Sequence, residues 1–377
     1  MRKLIFPFLI LIVAVTACKK DNNNTDDPDT PQLHLTVKWD KKYSYWLNMP
    51  DNLHNLVATP DGGAAVFFSW FTDEDAGTCL LKTKSDGSED FVKEYPAGTF
   101  GCGDASLIQT SDGGFLLFGD WSPPTLGKTD AAGNVLWTKA MNYHQLQRVT
   151  SIVEKDGGGF LALTESINAI YLIEMDAAGD TLRTFLVRDS LEIADGQQVE
   201  INPAGQIIIL YTGRQQGDYR SFVSALDTNF SEIWSQEFTL SGHGLVLQSL
   251  YINTDNSLVA GGGIWANGTG DYSGYAVGLS SAGDVSWTRQ ISEAQYGFLD
   301  IVPATSGGYY MVAMHDIMVT KLSNGGEVLW RESLEPLNQI GPSGNTLKRS
   351  GNDILFFGYN WDISSMNSNP VLIKFSE

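Results

Sequence analysis

Thr129-Asp130-Ala131-Ala132-Gly133-Asn134-Val135-Leu136-Trp137 decides the fold. An Asp-x-x-Gly-Asn turn supplies residues that tolerate positive φ, and an apolar strand carrying Trp follows it. Such a turn between apolar runs predicts a hairpin, because positive φ matches the twist of paired strands. The pattern recurs at Met175-Asp176-Ala177-Ala178-Gly179-Asp180, Leu226-Asp227-Thr228-Asn229, Ser280-Ser281-Ala282-Gly283-Asp284 and Ser323-Asn324-Gly325-Gly326-Glu327. Trp234, Trp287 and Trp330 take the place of Trp137. A second turn lies upstream of each copy, as in Pro60-Asp61-Gly62-Gly63 and Ser111-Asp112-Gly113-Gly114. Aligned on the apolar strand that follows, it gives anchors at Asp61, Asp112, Gly157, Ala204, Asp255, Ser306 and Gly351, 45 to 51 residues apart.

Seven units of four short strands predict an all-β fold, a seven-bladed β-propeller. A lone blade of this size could not bury both its faces, so the units must pack together. The 39 glycines suit a turn-rich β protein. The seventh unit stops at its third strand, Pro370-Val371-Leu372-Ile373-Lys374-Phe375, whereas Leu33 to Trp39 reads as a fourth strand without a unit of its own. The N-terminal strand is therefore expected to close the last blade, leaving no unpaired edge at the seam.

The start of the chain reads as an address. Met1-Arg2-Lys3 is basic, Leu4 to Val15 is apolar but too short to span a bilayer, and Val15-Thr16-Ala17 precedes Cys18. Small residues before a Cys resemble the lipobox of bacterial lipoproteins, which implies cleavage before Cys18 and lipidation of it. The polar tract from Lys19 to Pro31 reads as a flexible tether. Cys-Lys-Lys-Asp resembles, in part, the surface-export tag of Bacteroidetes lipoproteins. The expected layout is a signal peptide at 1–17, a tether at 18–32 and the propeller at 33–377, lipid-anchored at the outer membrane and facing the cell surface or the periplasm. Cys79 and Cys102 remain, either bridged or as two buried thiols. The repeats resemble the tandem-repeat propeller lipoproteins of Bacteroidetes, and Asp130 to Trp137 also resembles the repeat of quinoprotein-like propellers. These resemblances specify the fold far more than the task.

Lys and Arg total 24 against 44 Asp and Glu, a net charge of −20. That balance argues against nucleic acid as a partner and leaves the lipid as the membrane contact. In a four-stranded meander the two regular turns share one face and the variable connections share the other, so specificity is expected on the variable face. Trp70, Trp121, Trp265 and Trp361 end the second strands there, near Phe71, Tyr219, Tyr272 and Tyr359. They form a candidate aromatic rim for sugar rings or a protein partner, and packing between blades is the first alternative. A polar ring starts the innermost strands at Asn55, Ser106, Ser151, Gln198, Ser249, Asp300 and Asn345. It is a candidate ligand site on the axis or, as a feature of every blade, a set of structural hydrogen bonds.

The five His lack metal-ligand spacing, the acidic loop Asp73-Glu74-Asp75 lacks the spaced oxygens of a calcium site, and no local nucleophile or metalloprotease motif is present. No catalytic residue, metal or cofactor is assigned. The expected function is a monomeric binding or scaffold lipoprotein presenting its variable face to a glycan or an envelope protein. The alternatives are a polysaccharide lyase or hydrolase with a site at the channel mouth (Asp300, with His54 and His144) and an outer-membrane assembly factor.

Overall fold

The computed structural model describes residues 34–43, 56–71, 76–96, 98–100, 105–119, 124–141, 146–266, 272–292, 294, 297–313, 318–333, 346–362 and 367–377. Outside that description lie Cys18, Trp46, Asn55, the 73–75 loop, Cys102, Trp121 and Asn345, with the side chains of 71, 105, 266 and 360–368.

The described strands form seven antiparallel sheets of four. These are the blades of a propeller, numbered 1 to 7 from Leu56 onward. Their inner strands are Leu56–Ala58, Ala105–Gln109, Arg148–Glu154, Ile193–Ile201, His243–Ile252, Phe298–Pro303 and Thr346–Ser350. Each inner strand touches those of both neighbouring blades, so the seven close a ring. Blade 7 joins Thr346–Ser350, Asp353–Asp362 and Asn367–Ser376 to the N-terminal strand Thr36–Lys42, in the order the sequence predicts. Thr36 pairs with Ser376 and Lys42 with Val371.

Second strands are buried along almost their whole length, as in the apolar run Phe115–Gly119, and third strands are largely buried while carrying polar residues, as in Thr125–Thr129. Outer strands alternate exposed and half-buried residues, as in Glu232–Phe238. The core is divided among the blade interfaces. Leu161, Leu172, Val199 and Ile209 join blades 3 and 4. Leu299, Val312, Leu347 and Ile373 join blades 6 and 7. Val66, Phe68, Leu355 and Phe357 join blade 7 to blade 1. Cys79 is a free thiol in that last cluster, and burial raises its pKa.

In blades 2, 4, 5 and 7 the Trp of the outer strand locks onto the next blade's second turn. A Cβ built on Gly179 would lie 2.6 Å from Trp137, on Gly283 2.6 Å from Trp234 and on Gly326 2.2 Å from Trp287. Trp39 of blade 7 covers Gly87 of blade 1 in the same way, and Phe91 of blade 1 covers Gly133. In blade 3 Arg183 replaces the Trp and stacks at 3.7 Å on Phe230, a non-glycine residue at φ 68° in the turn of blade 4. Blade 6 has no such turn to face, because there the chain begins its closing strand. Instead His34 stacks on Trp330 with ring centroids 4.7 Å apart.

The residue two places on follows the same logic. Arg289 Nε donates to Gly326 O at 2.8 Å, and Lys93 Nζ to Asn134 Oδ1 at 3.1 Å. In blade 6 the facing groups are the N–H donors of His34 and Leu35. The side chain there is an acid, and Glu332 Oε2 accepts from both, at 2.9 and 3.1 Å. The chain thus enters the propeller on the regular-turn face.

Candidate functional site

The polar ring binds blade to blade. Ser151 Oγ accepts from Val199 N at 3.2 Å, and Gln198 Oε1 from Leu250 N at 2.9 Å. Asp300 is its most connected member. Its Oδ1 accepts from Ser249 Oγ and Ile301 N, each at 2.8 Å. Its Oδ2 accepts from Thr346 Oγ1 at 2.6 Å, and from Leu347 N and Lys348 Nζ at 3.0 Å. Ser106, Ser151, Gln198, Ser249 and Asp300 are all buried. Leu347 N meets Asp300 as Leu250 N meets Gln198, so Thr346 holds the ring position in blade 7, one residue on from Asn345. The cause is the first hairpin of blade 7, where Ser350 pairs directly with Asp353 and leaves a two-residue turn. Glu200 of blade 4 shares the axis. Burial raises its pKa, against a hydrogen bond from Gln198 and the charge of Lys348.

The variable face holds a cleft between blades 3 and 4. Second and third strands in blade 3 have six residues each, Phe160–Glu165 and Ile170–Met175. Those of blade 4 have nine, Ile207–Gln215 and Asp218–Leu226. Ser166 and Ala169 continue the blade 3 hairpin by one more pair, so blade 4 extends two pairs further from the regular turns, roughly 7 Å at about 3.3 Å per residue. The step leaves a cleft of about 520 Å³ lined by Gln147, Arg148, Glu165, Glu192, Asp195 and Tyr219, with Ile167, Ile193 and Ala194 as its apolar part.

Arg148 stands in its floor between two carboxylates. Its Nε lies 3.2 Å from Glu165 Oε1 and its Nη2 lies 2.7 Å from Asp195 Oδ1. Glu165 Oε2 accepts from Gly196 N at 2.8 Å, and Asp195 Oδ2 from Gln197 Nε2 at 2.7 Å. Burial outweighs the nearby guanidinium and pushes the Glu165 carboxyl up to about 7. On the higher side, Arg214 faces Glu192 at 3.6 Å and lies 5.7 Å from the Tyr219 ring. Tyr219 meets Trp265 edge-on at 5.3 Å, and Trp265 meets Tyr272 at 6.1 Å. These three rings make a ledge running from the cleft across blades 4 and 5, and Tyr272 at its end is exposed.

Of the Trp residues singled out from sequence, Trp265 lies in this ledge. Trp70 is half-buried, packs against the core between blades 7 and 1, and covers Gly77. Trp361 lies in the second strand of blade 7, and Trp121 lies outside the described residues. Sequence reading missed Arg148, Glu165 and Asp195. The available signal was Glu165 itself, a lone acid closing the apolar strand Phe160-Leu161-Ala162-Leu163-Thr164. Among the described residues no group of three His, Cys, Asp or Glu is placed to hold a metal ion.

No family model matches the chain. No curated protein matches it in sequence. Solved structures do match in fold. The polysaccharide lyase Uly1 is 9% identical with a TM-score of 0.62, over 89% of this chain and 92% of that one. Virginiamycin B lyase from Staphylococcus aureus is 11% identical with a TM-score of 0.61, over 90% and 99%. The β-propeller domain of Myceliophteria thermophila Cps50 is 9% identical with a TM-score of 0.57, over 89% and 100%. Identities this low bear on architecture alone, and the architecture they share with this chain is the β-propeller.

Proposed function

We propose that the protein is a monomeric, lipid-anchored envelope propeller of the Bacteroidetes type that binds a glycan through its variable face. Cys18 carries the lipid, the tract after it is the tether, and the propeller stands at the outer membrane, exposed at the cell surface. The observation that carries the reading is the cleft beside the Tyr219–Trp265–Tyr272 ledge. Flat aromatic faces next to fixed hydrogen-bonding groups are what a sugar ring needs, with its apolar C–H face and its hydroxyl rim. The ledge lies on the face opposite the one where the closing strand Thr36–Lys42 begins. Glycan-array binding by the full-length chain in detergent tests this. Trp265→Ala is expected to lose at least tenfold in affinity, and a Trp265→Ala protein that binds every captured glycan as well as wild type would remove the ledge from the argument.

A second reading, a polysaccharide lyase, draws on Glu165. A carboxyl near 7 is matched to proton abstraction at neutral pH, and Arg148 and Tyr219 line the same cleft. Incubation with uronate polysaccharides separates the readings. A lyase generates unsaturated ends that absorb in the ultraviolet, and Glu165→Gln abolishes them.

A further inference from the structure

We infer that the ligand of the blade 3–4 cleft is a neutral glycan, read by hydrogen bonds from its hydroxyls to Asp195 and Glu192 while a ring stacks on the Tyr219–Trp265 ledge. The inference rests on the glycan-binding reading and specifies its chemistry. It starts from the charges around the cleft. Three carboxyl groups line it, the Glu192 and Asp195 carboxylates and the Glu165 carboxyl that burial raises to about 7, with Arg148 as the cation among the lining residues and Arg214 at its edge. Both guanidiniums are already met by carboxylates, Arg148 by Asp195 and Arg214 by Glu192, and the Glu165 carboxyl also lies beside Arg148. A uronate or a sulfated sugar would therefore bring a further negative charge to a site whose cations are matched, on a chain of net charge −20.

A neutral sugar brings donors. Ionised carboxylates only accept, and hydrogen bonds to them are stronger than bonds between neutral groups. The Asp195 side chain is 36% exposed and that of Glu192 50%, so solvent-facing carboxylate is present at the cleft wall. Arg148 holds Oδ1 and Gln197 holds Oδ2 of Asp195, at 2.7 Å each, which sets the acceptor before any ligand arrives. The ledge supplies the second contact. Trp265 packs against Gly244, its cross-strand partner, where an added Cβ would lie 2.2 Å from the indole, so its position is set by the fold.

The test is equilibrium binding of the full-length chain in detergent to two oligosaccharide sets of matched length, neutral (glucan, mannan and galactan fragments) and anionic (polygalacturonate and alginate fragments). At least one neutral fragment is expected to bind, with affinity changing less than twofold between low and high salt, and the anionic fragments are expected not to. Asp195→Ala should lower neutral affinity at least tenfold, and Asp195→Asn, which keeps the shape and one acceptor oxygen, less. Circular dichroism confirms that both variants are folded. Binding of anionic fragments that weakens in Asp195→Ala or Trp265→Ala overturns the neutral assignment and leaves the glycan reading standing. Neutral binding indifferent to both substitutions overturns the placement of the site. Failure of both sets to bind overturns the glycan reading with it.

Discussion

Asp300 gathers five donors from three blades into one buried carboxylate. Removing the acceptor leaves Lys348 and two backbone N–H groups facing each other, and Asp300→Ala is expected to lose about 3–5 kcal/mol of stability in urea denaturation. Asp300→Asn keeps one acceptor and loses less. Glu165 sets a pH dependence of the opposite kind to most carboxylates. The folded chain holds its proton up to about pH 7, against 4.5 for an ordinary Glu. Its contribution is complete below pH 4.5 and is lost as pH rises towards 7, by up to about 3 kcal/mol. Glu165→Gln should remove that decline from a series of melting curves. Asp112 works the other way, held down to about 2 by Lys128 and Thr110, so its contribution is lost only as pH falls from about 4 to 2. The hydrogen-bonding role of the ring was one of two readings open from the residues alone, and Asp300 stands out there as its lone acid. Arg148, Glu165 and Asp195 could not be read that way, because they come from three segments of two blades that only the packed fold brings together.

At the scale of the strand and the turn, far more was legible. Gly133, Gly179 and Gly326 all stand at positive φ, the backbone state their turn motif predicts. The Trp that follows each turn was visible as a repeat, but what it touches belongs to the next blade and needed coordinates. Two glycines separate the turn from the packing. Gly205 has φ 78° and nothing near its would-be Cβ, whereas Gly326 has φ 77° with Trp287 2.2 Å away. Gly205→Ala should cost about 1 kcal/mol of backbone strain, and Gly326→Ala clearly more, because the indole must move. Thermal unfolding of the pair measures the difference. Glu332→Gln should cost about 1–2 kcal/mol, since it weakens charge-assisted bonds to His34 and Leu35. The shorter hairpin at Gly351 also explains why counting back six residues from the turn lands one residue early in blade 7.

Across the whole molecule, the two faces divide the labour. Regular turns, the blade-to-blade locks and the start of the closing strand lie on one side, and the cleft and its ledge lie on the other. Charge belongs to this scale as well, since −20 spread over the chain disfavours any polyanion before contact is made. The closing strand has a mechanical consequence. Thr36–Lys42 starts at the regular-turn face and runs towards the variable face, held to its neighbour by a ladder from Thr36 with Ser376 to Lys42 with Val371. Ladder bonds lie across the strand direction. A pull on the residues before His34, directed away from the regular face, therefore loads the whole ladder in shear at once. A pull at the Tyr43 end directed across the strands opens it one pair at a time. In force spectroscopy with the second handle on the variable face, a handle placed at His34 should rupture at a higher force than one placed at Tyr43 and pulled across the strands.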